Sequence, residues 1–318
     1  MPKIAYARKR FREDSMKIII DANALIEEYM DQGFPSPTLR QLYYMFIATD
    51  KFPASWIDEA YNLRKGLDPS TKNTDKNYDK LGVLISDARL AGLIDWNVIE
   101  DRHRHLNDRG HWNSPSEIID AVANQYHKDL WEDQQYRPFV FIEKDALVGV
   151  IEGICKEWDV PYLACKGYAS QSLMWRLGMT MARYENDGQT PIVFHLGDHD
   201  PSGLDMTRDI QERLAMFGTS AEVKRLALNM DQIRKYNPPP NPAKVTDSRF
   251  IAYQREYGDE SWELDALKPK VMTGLVEKHV KALIDKPKWN DRAAEVQSEK
   301  DQLATVSSQW DSIIENLS

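Results

Sequence analysis

The chain has 318 residues, 42% hydrophobic and 29% charged, with 41 Lys and Arg against 50 Asp and Glu for a formal charge of −9. That composition fits a soluble globular protein of two ordinary domains and excludes a disordered or fibrous chain and a surface coated in basic residues. A local basic stripe is still enough to meet nucleic acid. No apolar run approaches the ~20 residues that span a bilayer, and no signal-peptide pattern opens the chain, so the expected setting is the cytoplasm. Cys155 and Cys165 lie in predicted core elements without a metal spacing, and they read as buried free thiols.

Lys3, Arg8, Lys9, Arg10 and Arg12 form a basic arm, either solvated or phosphate-contacting. Residues 18–30 carry helical apolar spacing, broken by Gly33-Phe34-Pro35-Ser36-Pro37. Thr38 then caps a helix reaching to about Thr49, with Leu39, Leu42, Phe46 and Ile47 facing the core. Residues 55–66 predict a short helix, 67–77 a turn-rich stretch, and 78–91 a helix closed by Gly92 just beyond its end. Residues 93–100 alternate like an edge strand, and 101–111 are a polar, basic loop. Helices followed by a short strand and a charged loop outline a winged helix-turn-helix, a module that lays one helix in a DNA major groove. A further helix is expected over 115–131.

From Pro138 the rhythm becomes strand, helix, strand, helix: strands at 139–142, 161–165 and 191–196 and helices at 147–158, 171–184 and 203–217. A fourth strand fits 221–228 and a short helix 231–236. This alternation predicts a parallel α/β sheet. The expected fold class is mixed α/β, with an N-terminal domain over 1–136 and a metal-binding domain with a C-terminal extension over 137–318. Asn237-Pro238-Pro239-Pro240-Asn241-Pro242 is a connector, 271–284 a helix, and Leu303, Val306, Trp310, Ile313 and Leu317 lie at heptad-like spacing on a last helix.

The chemistry gathers at strand ends. Phe139-Val140-Phe141-Ile142 ends on Glu143, and Pro191-Ile192-Val193-Phe194 leads through Gly197 to Asp198 and Asp200. Working sites of parallel sheets lie beyond the carboxyl ends of the strands, so neighbouring strands would deliver the carboxylates to one spot. Oxygen donors of this kind suit Mg²⁺. On the 38–49 helix, Arg40 and Tyr44 are one turn apart and share a face. A guanidinium there can hold a phosphate against the tyrosine hydroxyl, a weak nucleophile at its ordinary pKa near ~10. Read alone, the same stretch is an amphipathic helix packing its aromatic residues. His103, His105 and His111 lie on a polar loop without cysteine, a poor zinc set. The preferred role of that loop is a wing meeting DNA, with Arg102 and Arg104 as phosphate contacts, Arg89 as a further one, and Lys166 facing the site from its strand end.

Glu143-Lys144 followed by a helix, then Gly197-Asp198-His199-Asp200-Pro201-Ser202-Gly203, resembles a Toprim domain, the metal-binding fold of topoisomerases, primases and certain nucleases. Lys166-Gly167-Tyr168-Ala169 is similar to the Lys-Gly-Tyr-Pro segment of topoisomerase VI A subunits, with Ala169 in place of the proline. Arg40-Gln41-Leu42-Tyr43-Tyr44, ahead of such a domain, resembles the catalytic segment of that subunit and of the meiotic protein that makes recombination breaks. Gln41 stands where the family usually has an acid. The resemblance covers about 35–105 and 137–210 and is nearest to the compact Mini-A relatives. It implies a type IIB DNA-cleaving enzyme with a winged-helix domain and a Toprim domain. In it Tyr44 attacks the DNA backbone to form a 5′-phosphotyrosyl bond, Tyr43 being the rival one residue away. Arg40 would steady the phosphate. Asp198 and Asp200 with Glu143 would hold Mg²⁺, or Glu143 would serve as acid or base. It also implies a homodimer cutting double-stranded DNA, the tyrosine of one subunit working with the metal site of the other. No ATPase motif stands in the sequence, so a strand-passage cycle implies a separate ATPase partner of the B-subunit type. Two other classes remain: a hydrolytic Toprim nuclease, in which Tyr44 only packs, and a non-catalytic DNA-binding protein.

Overall fold

A computed structural model describes residues 3–99, 111–165 and 167–317. The N-terminal part is helical: α1 (Glu13–Asp31), α2 (Leu39–Ala48), α3 (Glu59–Arg64) and α4 (Asp75–Leu90). They enclose a core built on Ile18, Ala22, Ile26, Leu42, Phe46, Leu81 and Ile85. Phe52 stacks between Phe46 and Trp56, with ring centroids 4.8 and 4.7 Å apart. Thr38 begins α2 with a capping box in which its hydroxyl and the Gln41 side chain satisfy each other's backbone N–H. Gly92, with φ +73°, ends α4 in the left-handed conformation expected of a helix-terminal glycine. A Cβ there would lie 2.8 Å from the Ala5 nitrogen.

The strand expected over 93–100 is not formed: 93–99 run through turns, and Glu100 lies outside the described residues. Side chains satisfy the backbone there in place of a ladder. Asp95 accepts the Asn97 N–H at 2.8 Å, and Ser36 Oγ and Asn23 Nδ2 donate to the carbonyls of Asn97 and Leu93. The basic arm lies against α4 instead, Ala5 bridging Ala91 and the Tyr6 N–H donating to the Leu90 carbonyl at 2.8 Å.

The helix expected over 115–131 stops early, as α5 (Pro115–Gln125). Beyond it Tyr126 and Lys128 are drawn aside to Glu299, and Asp129 to Arg137. Then comes the parallel sheet with its crossover helices: β1 (Tyr136–Ile142), α6 (Val148–Glu157), β2 (Tyr162–Ala164), α7 (Gln171–Asn186), β3 (Thr190–Leu196), α8 (Pro201–Met216), β4 (Glu222–Ala227) and α9 (Met230–Tyr236). The strand order is β2-β1-β3-β4, all parallel. Alternation sends Val140, Ile142, Ile192 and Phe194 to one face, with α6. Phe139, Phe141 and Val193 go to the other, with α7 and α8. Both faces are covered, which is why these strands read as unbroken apolar runs.

The C-terminal part adds β5 (Asn241–Pro242), α10 (Phe250–Tyr257), β6 (Glu260–Ser261), α11 (Pro269–Lys281), α12 (Lys286–Ser308) and α13 (Trp310–Leu317). Residues 262–267 cross between the two halves: Leu264 is buried in the sheet core while Ala266 packs against the N-terminal one. Met272, Val276 and Val280 of α11 complete the α6 face of the sheet, and α12 packs on α5. The single last helix expected from the heptad-like spacing is broken at Gln309, so Leu303 and Ile313 belong to different helices. Among the described residues no helix is long and apolar enough to cross a membrane.

Candidate functional site

Strand order places a switch point between β1 and β3, where the connections leave in opposite directions and a crevice opens at the carboxyl ends. Ile142 pairs with Leu196, so the next residues, Glu143 and Gly197, are neighbours. The Glu143 N–H donates to the Leu196 carbonyl, and Glu143 Oε2 accepts the Asp198 N–H, both at 2.8 Å. A Cβ on Gly197 would stand 2.9 Å from that oxygen, so a larger residue there would push the Glu143 carboxylate aside. Asp198 Oδ1 accepts the Leu264 N–H at 2.7 Å. Asp200 caps α8, its Oδ1 accepting from the Gly203 N–H at 2.6 Å and Ser202 Oγ at 2.9 Å. Glu143 thus meets the Asp198 backbone, and the Asp200 charge acts on it from nearby. Asp200 is a helix cap and a cleft residue at once.

Charge is crowded here. Burial raises the Glu143 carboxyl and the Asp200 charge adds to it. Burial pushes Asp198 up to about 7, Lys144 opposing and Glu143 assisting. The Lys144 ammonium sits 3.0 Å from Asp198, 2.8 Å from Glu263 and 2.6 Å from Asp265, and these charges hold it protonated against its burial. Arg225, lowered to about 10 by burial, donates to the carbonyls of Gly197, Asp198, Gly203 and Leu228, fixing the turn that carries Asp198 and Asp200.

α2 faces this cluster. Arg40 Nη2 donates to Glu263 at 2.6 Å, and its guanidinium carbon is 5.9 Å from the centre of the Tyr44 ring. Tyr44 is 5% exposed. Burial first, then the Glu263 charge, raise its pKa, while Arg40 and Lys144 pull it down. The Tyr43 hydroxyl is committed elsewhere: it accepts the Thr74 N–H at 2.7 Å and lies 3.0 Å from the Thr74 carbonyl. A cleft of about 270 Å³ is lined by Arg40, Tyr44, Asp198, Asp200 and Glu263, with the exposed Lys65 and Lys244 at its edge. All of these belong to one chain. Comparison with protein families, curated proteins and solved structures finds no match.

Among the described residues no group of three or more His, Cys, Asp or Glu is gathered to hold a metal. Both Asp198 oxygens are engaged, by the Leu264 N–H and by Lys144. Glu143 Oε2 is taken by the Asp198 N–H, which leaves Glu143 Oε1 and Asp200 as donors. This sparse oxygen set fits Mg²⁺, which keeps most of its waters and takes few carboxylates. It does not fit a cage metal.

Arg89 stands away from the cleft, its guanidinium over the Trp96 ring at 4.9 Å and hydrogen-bonded to the Trp96 carbonyl. Arg102, Arg104, His103, His105 and Lys166 lie outside the described residues, and His111 is exposed. Sequence reasoning missed Lys144, Arg225, Glu263 and Asp265 as site residues. Two acids close together in Trp262-Glu263-Leu264-Asp265 were the only hint, and it does not say where they point.

Proposed function

We propose that the chain is a DNA-cleaving enzyme of the topoisomerase VI A-subunit kind, with a helical N-terminal domain that carries Arg40 and Tyr44 and a Toprim-like sheet domain. The observation that carries this reading is that Arg40 and Tyr44 line the same cleft as Asp198 and Asp200. Tyr44 Oη gives up its proton to water in the cleft and attacks a backbone phosphorus, the bond to the 3′ sugar oxygen breaks, and a 5′-phosphotyrosyl ester keeps the bond energy available for resealing. Arg40 holds the phosphate as negative charge develops on it. Glu143, whose carboxyl is raised, donates a proton to the leaving oxygen or, with Asp200, holds the cation. Bound Mg²⁺ would supply charge neutralisation at the phosphate. Two copies, each with its own cleft, give the double-strand break. An ATPase partner is needed only for strand passage, and the setting is cytoplasmic.

A hydrolytic nuclease is the second reading, favoured by the burial of Tyr44, which keeps its hydroxyl protonated. The test is a labelled duplex incubated with the protein and Mg²⁺, then stopped with detergent. Label should migrate with the protein, and Asp200→Asn should reduce that signal at least about a hundredfold. Cut DNA with protein-free ends would establish hydrolysis instead.

A further inference from the structure

Glu263 occupies an unusual place. One of its oxygens, Oε2, takes Arg40 Nη2 at 2.6 Å and Lys144 Nζ at 2.8 Å, tying a cation from α2 to one from the end of β1 beside Tyr44. A carboxylate bridging an arginine and a lysine sits as a phosphate oxygen would.

Two features show that the seat is fuller than this carboxylate needs. Arg40 Nε is buried without a hydrogen-bond partner among the described residues, with Asp265 Oδ2 4.0 Å from it. The guanidinium therefore uses only part of its donor fork, and a tetrahedral oxyanion can take both edges. Lys144 does not depend on Glu263 for its place, because Asp198 and Asp265 hold it at 3.0 and 2.6 Å.

The chain around Glu263 is pinned by its backbone, and its side chain is held by polar partners, Arg40, Lys144, Tyr44 and Asn241. Trp262 and His199 exchange backbone hydrogen bonds at 3.0 and 2.8 Å, and the Leu264 N–H is held by Asp198. Trp262 and Leu264 are buried, whereas the Glu263 side chain keeps 24% of its surface open and lines the cleft.

We infer that Glu263 is a resident stand-in for a DNA phosphodiester: it holds Arg40 and Lys144 together in the free protein and yields to the phosphate, which Lys144 then binds alongside Arg40. This rests on the DNA-cleaving reading above and adds to it a second phosphate-binding cation and a gate. The exchange replaces one anion by another, so the cations are never left unpaired, and Tyr44 meets phosphate in place of carboxylate.

The test is binding of a short fluorescein-labelled duplex in EDTA, where no cutting is needed, followed by anisotropy at several salt concentrations. Wild type is compared with Glu263→Gln, Glu263→Asp, Lys144→Met, the Glu263→Gln/Lys144→Met pair, and Glu260→Gln as a control for loss of one surface acid. Near-UV circular dichroism confirms that each variant is folded. Glu263→Gln should bind about tenfold tighter, with a salt slope steeper by about one to two phosphate contacts. Glu263→Asp should gain less, Glu260→Gln should match wild type, and Lys144→Met should cancel the gain in the pair. Equal or weaker binding by both Glu263 variants overturns the inference and leaves the DNA reading standing. No duplex binding by any protein removes the DNA reading, and the inference with it.

Discussion

At the scale of single residues, the site is governed by how burial and charge oppose each other. Burial alone would raise the Glu263 carboxyl, but Lys144 and Arg40 outweigh it and hold it down at about 2. Nothing similar rescues the histidines on the same sheet. Burial lowers His195 to about 3 and His199 to about 4, and His195 Nε2 has no hydrogen-bond partner among the described residues. Below the ordinary histidine value of 6.5 the unfolded chain takes up protons that the folded chain refuses. The histidines' share of stability is therefore full above 6.5 and is lost as pH drops toward 3 to 4, while Asp198, raised to about 7, takes up its proton in the folded chain and offsets part of that loss. Thermal melts between pH 7 and 4 should show a falling midpoint, and His195→Gln should flatten part of the fall; an unchanged slope contradicts the assignment. Glu143, Asp198 and Asp200 were legible in the sequence because each follows an apolar run with a strand's length. Glu263 and Asp265 were not, since an irregular stretch has no period to show where its side chains aim. The packing of Arg89 was not legible for a related reason: a charge on a helix end gives no sign that a tryptophan seven residues on will fold back under it.

At the scale of elements, caps and breakers were the most readable signals. Thr38 and Gly92 end their helices as expected, and Gln41, which stands where the resembled family has an acid, completes the capping box. Thr38→Ala removes one half of that box and should cost about 1 kcal/mol. Because α2 carries Arg40 and Tyr44, DNA cleavage should fall further than the loss of folded protein explains. Urea unfolding beside a cleavage assay separates the two, and equal losses in both would contradict a positioning role for the cap. The strand expected over 93–100 failed because alternation alone does not supply a partner edge; the basic arm and side-chain hydrogen bonds took that role. The helix break at Gln309 carries no proline or glycine and left no mark in the sequence.

At the scale of the whole molecule, the parallel sheet was legible from its alternating elements, and its strand order was not. Order decides which strand ends meet, because only with β1 beside β3 does Glu143 reach Asp198. Trp131 belongs to the sheet core although it precedes β1, and α5 packs on α12, contacts between distant segments that no local pattern announces. The stretch through Glu263 and Asp265 closes the cleft between the helical part and the sheet, bringing Arg40 within 2.6 Å of Glu263. A chain of net charge −9 presents Arg40, Lys65 and Lys244 around one cleft, interleaved with Asp75, Asp198, Asp200 and Glu263. The central claim is that Tyr44 is the nucleophile of this cleft. Its most direct test is cleavage of supercoiled plasmid in Mg²⁺, quenched with denaturant, by wild type, Tyr44→Phe and Tyr43→Phe. Protein-linked DNA ends made by wild type and Tyr43→Phe and lost in Tyr44→Phe are the predicted result; cleavage by Tyr44→Phe with protein-free ends would contradict it.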